Sequence, residues 1–216
     1  MNRQNSKFPV AREGIPFIVP LLAISFLLWI LRFPLLAGVF GLLALFVLYF
    51  FRDPERSIPP GEKAILSPAD GTVIQVRPCR EETLLNGPAI QISVFMSLFN
   101  VHVNRNPLSG RIVDITYSPG RFLPANSERA SSANEKNTLL IETEKGARIV
   151  VVQVAGIIAR RIVCWARKGD SIERGHRFGL IRFGSRLDVY LPETARVQVQ
   201  PGHKTTAGQT ILGILP

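Results

Sequence analysis

Two uncharged apolar runs, Ile15 to Leu31 and Phe33 to Phe51, stand back to back near the start of this 216-residue chain, parted only by Arg32. Each would span roughly 25 to 29 Å as a helix rising 1.5 Å per residue, close to the lower limit for crossing a ~30 Å hydrocarbon core. The simplest reading is a two-helix membrane hairpin over residues 15–51, preceded by a polar tail, residues 1–14. A re-entrant or interfacial hairpin that never crosses is the alternative at these lengths, with Arg32 at the bend. A cleaved signal peptide fits less well, because the first run lacks a small-x-small site and continues at once into more apolar sequence. Lys and Arg occur on both outer flanks: Arg3, Lys7 and Arg12 before the hairpin, then Arg52, Arg56 and Lys63 after it. The positive-inside rule therefore puts both ends, and the domain that follows, on the cytoplasmic side of the cell membrane.

Residues 52–216 are enough for one globular domain with its own core. From Arg52 onward 22 Lys and Arg face 15 Asp and Glu, so this domain is itself basic. Beside a membrane, that charge points to anionic lipid as a partner. Nucleic acid is excluded on motif grounds: there is no zinc-finger spacing, no RNP-like aromatic run and no basic helix with a dimerisation heptad. Cys79 and Cys164 belong to no C-x-x-C pair and no Cys/His ligand spacing, so they read as reduced structural thiols, and nothing calls for a metal.

Beyond Pro60 the texture changes to short β-branched runs broken by Gly, Pro and Asn. They are Gly71–Val76, Ala89–Phe95, Gly110–Tyr117, Thr138–Thr143 and Arg148–Val154, the spacing of a mainly β domain. Near the C-terminus, Lys168–Gly175 leading to Gly179-Leu-Ile is echoed by Pro201–Gly208 leading to Ile211-Leu-Gly213-Ile. In each, two glycines six residues apart bracket a turn before a short strand. The pattern is similar to the turns of biotinyl- and lipoyl-type barrel-sandwich domains. The expected fold is therefore a barrel-sandwich-like β domain with an N-terminal two-helix membrane hairpin. A non-enzymatic, membrane-anchored barrel-sandwich adaptor would share these features.

Three short segments carry chemistry-bearing side chains. Asp70 lies in Ser67-Pro68-Ala69-Asp70-Gly71, which alone reads as an ordinary Asp-Gly turn. His102 follows the apolar run Ile90 to Phe95 and is either structural or a neutral-pH acid or base. Gly184-Ser185 alone is a turn dipeptide.

Taken together and in order, these segments resemble phosphatidylserine decarboxylase, in its short, pyruvoyl-dependent proenzyme branch with an N-terminal membrane hairpin. The resemblance runs from about Phe50 to the C-terminus. It is carried by Phe51-Arg52-Asp53-Pro54, Ser67–Gly71, Asn100-Val101-His102-Val103-Asn104-Arg105, Asn134-Glu135-Lys136-Asn137 and Arg182-Phe183-Gly184-Ser185-Arg186-Leu187-Asp188-Val189. In that family Asp, His and Ser form a processing triad, and the matching positions are Asp70, His102 and Ser185. The residue logic agrees: a serine hydroxyl needs a base, and a carboxylate behind an imidazole fixes its tautomer. The resemblance implies that Ser185 attacks the carbonyl of Gly184, giving an internal ester whose elimination leaves dehydroalanine. Loss of ammonia from that residue then yields an N-terminal pyruvoyl group. Glycine at 184 is expected to leave the close approach unobstructed.

The products would be a large chain, 1–184, and a small pyruvoyl chain, 185–216, held together as a heterodimer; self-association into a homo-oligomer stays open. The implied substrate is phosphatidylserine, which forms a Schiff base with the pyruvoyl ketone and loses carbon dioxide to give phosphatidylethanolamine. One position departs from the family pattern. Longer members carry a second histidine three residues before the triad histidine, and Phe99 stands there. Reprotonation then falls to His102, another group or water.

Overall fold

The computed structural model describes residues 9–127, 129–156, 161–182 and 184–216. It divides into two compact units, residues 7–55 and residues 56–216. The first is built on α1 (Ile15–Ile30) and α2 (Pro34–Phe50). Pro16 and Pro34 sit in the first helical positions, where their missing N–H has no intrahelical partner to lose. Between the helices Arg32 takes a left-handed conformation, φ 62°, which reverses the chain within three residues and confines the second helix to Pro34 onward. On α2, Ala37 and Ala44 are buried, and Ser25 Oγ of α1 donates to the Ala37 carbonyl at 2.8 Å. A Cβ added at Gly41 would lie 3.4 Å from the same hydroxyl, so small residues let the two backbones close. Large side chains such as Trp29, Leu35 and Leu42 point outward and are exposed.

The stretch Arg12–Ile30, 19 residues, is the one described helix long and apolar enough to cross a membrane; α2, with 17 residues, is shorter. This apolar helix supports membrane association.

The second unit is mainly β. Its strands are β1 (Ala64–Leu66), β2 (Gly71–Glu81), β3 (Gly87–Met96), β4 (Val103–Arg105), β5 (Gly110–Ser118), β6 (Lys136–Glu142) and β7 (Arg148–Val154). They continue with β8 (Ile162–Cys164), β9 (Ser171–Ile172), β10 (Arg177–Ile181), β11 (Ser185–Pro192), β12 (Arg196–Val197), β13 (Lys204–Thr205) and β14 (Ile211–Ile214). A short helix, α3 (Ala130–Ala133), precedes β6. Eight strands form one curled sheet in the order β13-β2-β3-β11-β7-β6-β5-β9, a half-barrel, flanked by the smaller sheets β1-β14-β12 and β4-β10-β8. Neighbouring strands run antiparallel.

The five β-branched runs of the sequence are β2, β3, β5, β6 and β7, and the barrel-sandwich expectation agrees with this architecture. Ile149 to Val152 of β7 read as a continuous apolar run because both faces of the strand are covered. One face carries Ile149 and Val151 into the main core with Ile92, Val94, Met96, Leu187 and Val189. The other carries Val150, Val152 and Val154 against Ala130 and Tyr190.

The echoed C-terminal turns have a common geometry. Gly169, Gly175, Gly202 and Gly208 all have positive φ, between 73° and 94°, a region other residues enter only at a cost. Their short strands β9 and β13 are the two edges of the eight-stranded sheet. A Cβ at Gly208 would lie 3.6 Å from the Gly175 Cα, so the turns lie against one another. The half-barrel thus ends in two-residue edge strands, too short to template further pairing.

Candidate active site

Gly184 and Ser185 lie where β10 gives way to β11. Ser185 is the first residue of β11 and pairs with Met96, the last residue of β3. From Met96 the chain turns through residues 97–102 into β4, which pairs with β10 through Val103 and Leu180. His102 therefore stands between the end of one strand pair and the start of the other. Its carbonyl accepts the Ile181 N–H at 3.4 Å.

The 97–102 loop is shaped by Asn100. Its Oδ1 accepts both the Ser97 N–H at 2.9 Å and the Ser97 hydroxyl at 2.8 Å, and the Asn100 N–H returns to the Ser97 carbonyl at 3.0 Å. The Asn100 carbonyl is thereby left facing His102 Nδ1 at 2.9 Å. On the other side of the ring, Nε2 is 3.4 Å from the Gly184 N–H. A carbonyl can only accept and a backbone N–H can only donate, so both partners require the same neutral tautomer: Nδ1 carries the proton and Nε2 presents its lone pair to the Gly184-Ser185 segment. His102 is buried, 2% exposed, and Ser185 is fully buried.

The Ser185 hydroxyl is buried with no hydrogen-bond partner among the described residues. Leaving such a group unsatisfied costs about 1–3 kcal/mol. Gly184 has φ 63°, and a Cβ added there would meet no described atom within 4 Å. The glycine is thus needed for its left-handed backbone. The unobstructed approach expected of it is not what distinguishes it from alanine.

Asp70 sits in the turn leading into β2. Its Oδ2 pairs with Arg56 Nη2 at 2.9 Å and its Oδ1 accepts the Ala207 N–H at 2.8 Å. The Ser67 hydroxyl donates to the Ala69 carbonyl at 2.8 Å and holds the turn, while Arg105 N–H donates to Pro68 O at 3.0 Å and ties it to β4. The fold brings His102 to Gly184-Ser185, and the Asp70 carboxylate is engaged with Arg56 and the C-terminal turn.

Two further features were not assigned roles from sequence. Arg186 and Asp188 are each 1% exposed, and their Nε and Oδ1 atoms lie 2.9 Å apart as a charge contact whose angle is not that of a hydrogen bond. Arg186 Nη1 donates to the carbonyls of Ala125 at 3.2 Å and Ser127 at 3.1 Å, and Nη2 to Asp188 Oδ2 at 3.1 Å and to the Ser131 hydroxyl. The pair binds the 125–131 segment to β11. Burial first, then the Asp188 charge, push the nearby Tyr190 hydroxyl above its usual range, so it stays protonated. The signal in the sequence was two opposite charges at i and i+2 within an apolar strand, which places both on one face.

The second feature is Asn100, whose carbonyl rather than its side chain does the orienting. Asn100→Ala removes both bonds to Ser97 and frees the loop that carries that carbonyl. Self-cleavage, followed by gel shift, is expected to slow on the order of tenfold while the fold is retained. An unchanged rate would mean the loop is held by other contacts.

Comparison with known proteins gives the family. The chain matches the family described as phosphatidylserine decarboxylase over residues 43–213. It is 53% identical to the phosphatidylserine decarboxylase proenzyme of Geobacter metallireducens, over 99% of this chain and 100% of the relative. It is also 53% identical to that of Geotalea uraniireducens over 99% and 100%, and 50% identical to that of Syntrophus aciditrophicus over 94% and 96%. By class, then, this is an enzyme, a self-processing decarboxylase proenzyme with a β-sheet core. It belongs to the phosphatidylserine decarboxylase family. The adaptor reading, which the fold alone left standing, is set aside.

Proposed function

We infer that the chain cuts itself between Gly184 and Ser185 and, with residue 185 converted to a pyruvoyl group, decarboxylates phosphatidylserine to phosphatidylethanolamine in phospholipid biosynthesis. The observation that carries this reading is the placement of His102: its Nε2 lies 3.4 Å from the Gly184 N–H, at the residue before a serine whose buried hydroxyl makes no hydrogen bond to any described residue.

In this reading Ser185 Oγ gives its proton to His102 Nε2 and attacks the Gly184 carbonyl carbon, and His102 passes that proton on to the Ser185 nitrogen as the peptide bond breaks and the ester forms. The Asn100 carbonyl accepts from Nδ1 and stabilises the imidazolium as Nε2 takes up the proton. Asp70 keeps the processing role that the resemblance implies, but the group on His102 Nδ1 is the Asn100 carbonyl, and the Asp70 charge is set against Arg56. Asp70→Asn keeps the shape and the capacity to accept the Ala207 N–H but removes the charge opposite Arg56, and it is expected to slow the cut. A buried serine hydroxyl at the start of a strand, with no hydrogen-bond partner among the described residues, fits a residue that becomes the cofactor. A pyruvoyl group supplies a ketone that condenses with a primary amine and accepts the electrons left as carbon dioxide departs. His102 remains the candidate to return a proton afterwards.

After the cut the small chain, residues 185–216, would contribute β11 to β14. β11 is central, laddered to β3 along its whole length and to β7 through Tyr190. Covalent continuity at 184 is not needed to hold it, which supports a heterodimer of the two products. Residues 15–51 would anchor the enzyme to the cell membrane with residues 52–216 on the cytoplasmic side, so that substrate is found by a local search. The basic domain would favour anionic lipid.

Intact mass spectrometry of the purified protein tests the reading. Two fragments, 1–184 and 185–216, are expected, the smaller blocked at its N-terminus by a carbonyl. Carbon dioxide release from phosphatidylserine vesicles then identifies the substrate. A single full-length chain, unblocked and inactive, would remove the basis for self-processing.

A further inference from the structure

Cleavage by an acyl shift needs more than a nucleophile and a base. The carbonyl under attack must be held while the peptide bond it belongs to is broken. Against that carbonyl lies Gly156, just after β7. A Cβ built at Gly156 would overlap the Gly184 carbonyl oxygen, lie 3.1 Å from the Gly184 carbonyl carbon and come within 3.3 Å of the Ala125 Cβ. Gly156 is buried, so the overlap has no solvent side into which to relax.

The position of Gly156 is fixed by a single side chain. Asn134, 1% exposed, donates from Nδ2 to the carbonyl of Ala155 at 2.8 Å and to that of Leu123 at 2.8 Å, and its Oδ1 accepts the Leu123 N–H at 2.9 Å. The Ala155 N–H donates in turn to the Glu135 carbonyl at 3.0 Å. The residue before Gly156 is thus clamped on both its N–H and its C=O, and the segment leading to Ala125 is clamped by the same amide. Both amide donors and one lone pair of the oxygen are used, and a buried network paired in this way is rigid.

We propose that Gly156, held by Asn134, is the seat of the scissile carbonyl, a positioning element of self-cleavage for which the absence of a side chain is the required property. This rests on the self-cleavage reading and assigns it a second glycine with a role opposite to the first. At Gly184 the backbone conformation is demanded and the space is open. At Gly156 the space is demanded and the conformation is ordinary. With a Cβ at 156 the Gly184 carbonyl must swing away, turning the 184–185 peptide out of the line in which Ser185 attacks. A displacement of 1 Å at a reacting group costs on the order of 100-fold in rate.

The test compares three alanine variants of the full chain, each followed by intact mass for the cut and by thermal unfolding for stability. Gly156→Ala is expected to fold and to be cut at least ~100-fold more slowly than the unsubstituted chain. Gly110→Ala is the matched control, because its Cβ would equally overlap a backbone carbonyl, that of Glu142, with the carbon at 2.9 Å, but away from residue 184. It should be destabilised and still cut. Gly184→Ala, strained by about 1–2 kcal/mol in the left-handed region, should be slowed less than Gly156→Ala.

Four outcomes overturn the proposal: Gly156→Ala cut at the normal rate; cutting lost in Gly156→Ala and Gly110→Ala alike in step with stability; Gly184→Ala slowed as much as Gly156→Ala; or cutting restored to Gly156→Ala by Ala125→Gly, which would trace the effect to the Ala125 contact. Should Gly156→Ala fail to fold, Asn134→Ala decides, since it frees the seat without overlap; normal cutting there rejects the proposal, and cutting slowed with the fold kept supports it. An uncut parent chain would instead mark the failure of the self-cleavage reading itself.

Discussion

Ser185→Ala is expected to leave the whole chain uncut, with no fragment beginning at residue 185 and no decarboxylation. Ser185 is fully buried, and its hydroxyl makes no hydrogen bond to any described residue. Removing the oxygen therefore breaks no described contact and relieves an unsatisfied group, so the variant should be at least as stable as its parent. That combination, full loss of processing with no loss of stability, separates a nucleophile from a structural serine. Ser185→Cys keeps a nucleophile at the same place, and partial cutting is expected. His102→Ala should also stop the cut, but it removes bonds to Asn100 and Gly184 as well and so is the less specific test. Intact mass and a thermal melt on the same samples suffice. Release of the 185–216 fragment from Ser185→Ala would mean that another group attacks the backbone.

The extent to which this site could be read from sequence differs from residue to residue. The strands β2, β3, β5, β6 and β7 were legible because β-branched runs bounded by Gly and Pro report their own conformation, and the echoed glycine turns were legible because positive φ restricts residue choice. The partners of β11 were not legible, since strand order follows from packing many residues apart: β3 and β7 flank it from distances of about 90 and 35 residues along the chain. His102, Gly184 and Ser185 could be picked out as residue types with a family resemblance, and the fold places them together. The orienting group on His102 Nδ1 was hidden because it is a backbone carbonyl, which every residue possesses. Gly156 was hidden for a related reason: the need for no side chain appears only when the carbonyl it faces is in place. The second apolar run gave a helix shorter than its uncharged length, because Phe33 and Phe51 stand at its two ends as caps.

Breaking the Arg186–Asp188 pair should have the largest effect on stability of any change outside the core. Both side chains are 1% exposed, and they lie on the central strand of the half-barrel. Asp188→Ala leaves the Arg186 guanidinium buried with carbonyls and a hydroxyl but no negative charge among the described partners. Stranding a buried charge in this way costs about 3–5 kcal/mol. For a unit of this size the melting point should fall by roughly 10 °C or more, at 2–4 °C for each kcal/mol. Replacing both members, as in R186M/D188L, removes the charge along with its partner, and the double variant should be more stable than Asp188→Ala despite carrying the additional substitution. On the proposed cut before residue 185, the pair would tie the end of the small chain to Ala125, Ser127 and Ser131 of the large chain, so Asp188→Ala should also weaken retention of residues 185–216 in mild denaturant. Urea titration of processed protein, with gel filtration to detect the free small fragment, reads both effects. If the double variant proves less stable than Asp188→Ala, the pair is contributing attraction beyond its desolvation cost; if Asp188→Ala is neutral, Arg186 is held by the carbonyls of Ala125 and Ser127 alone.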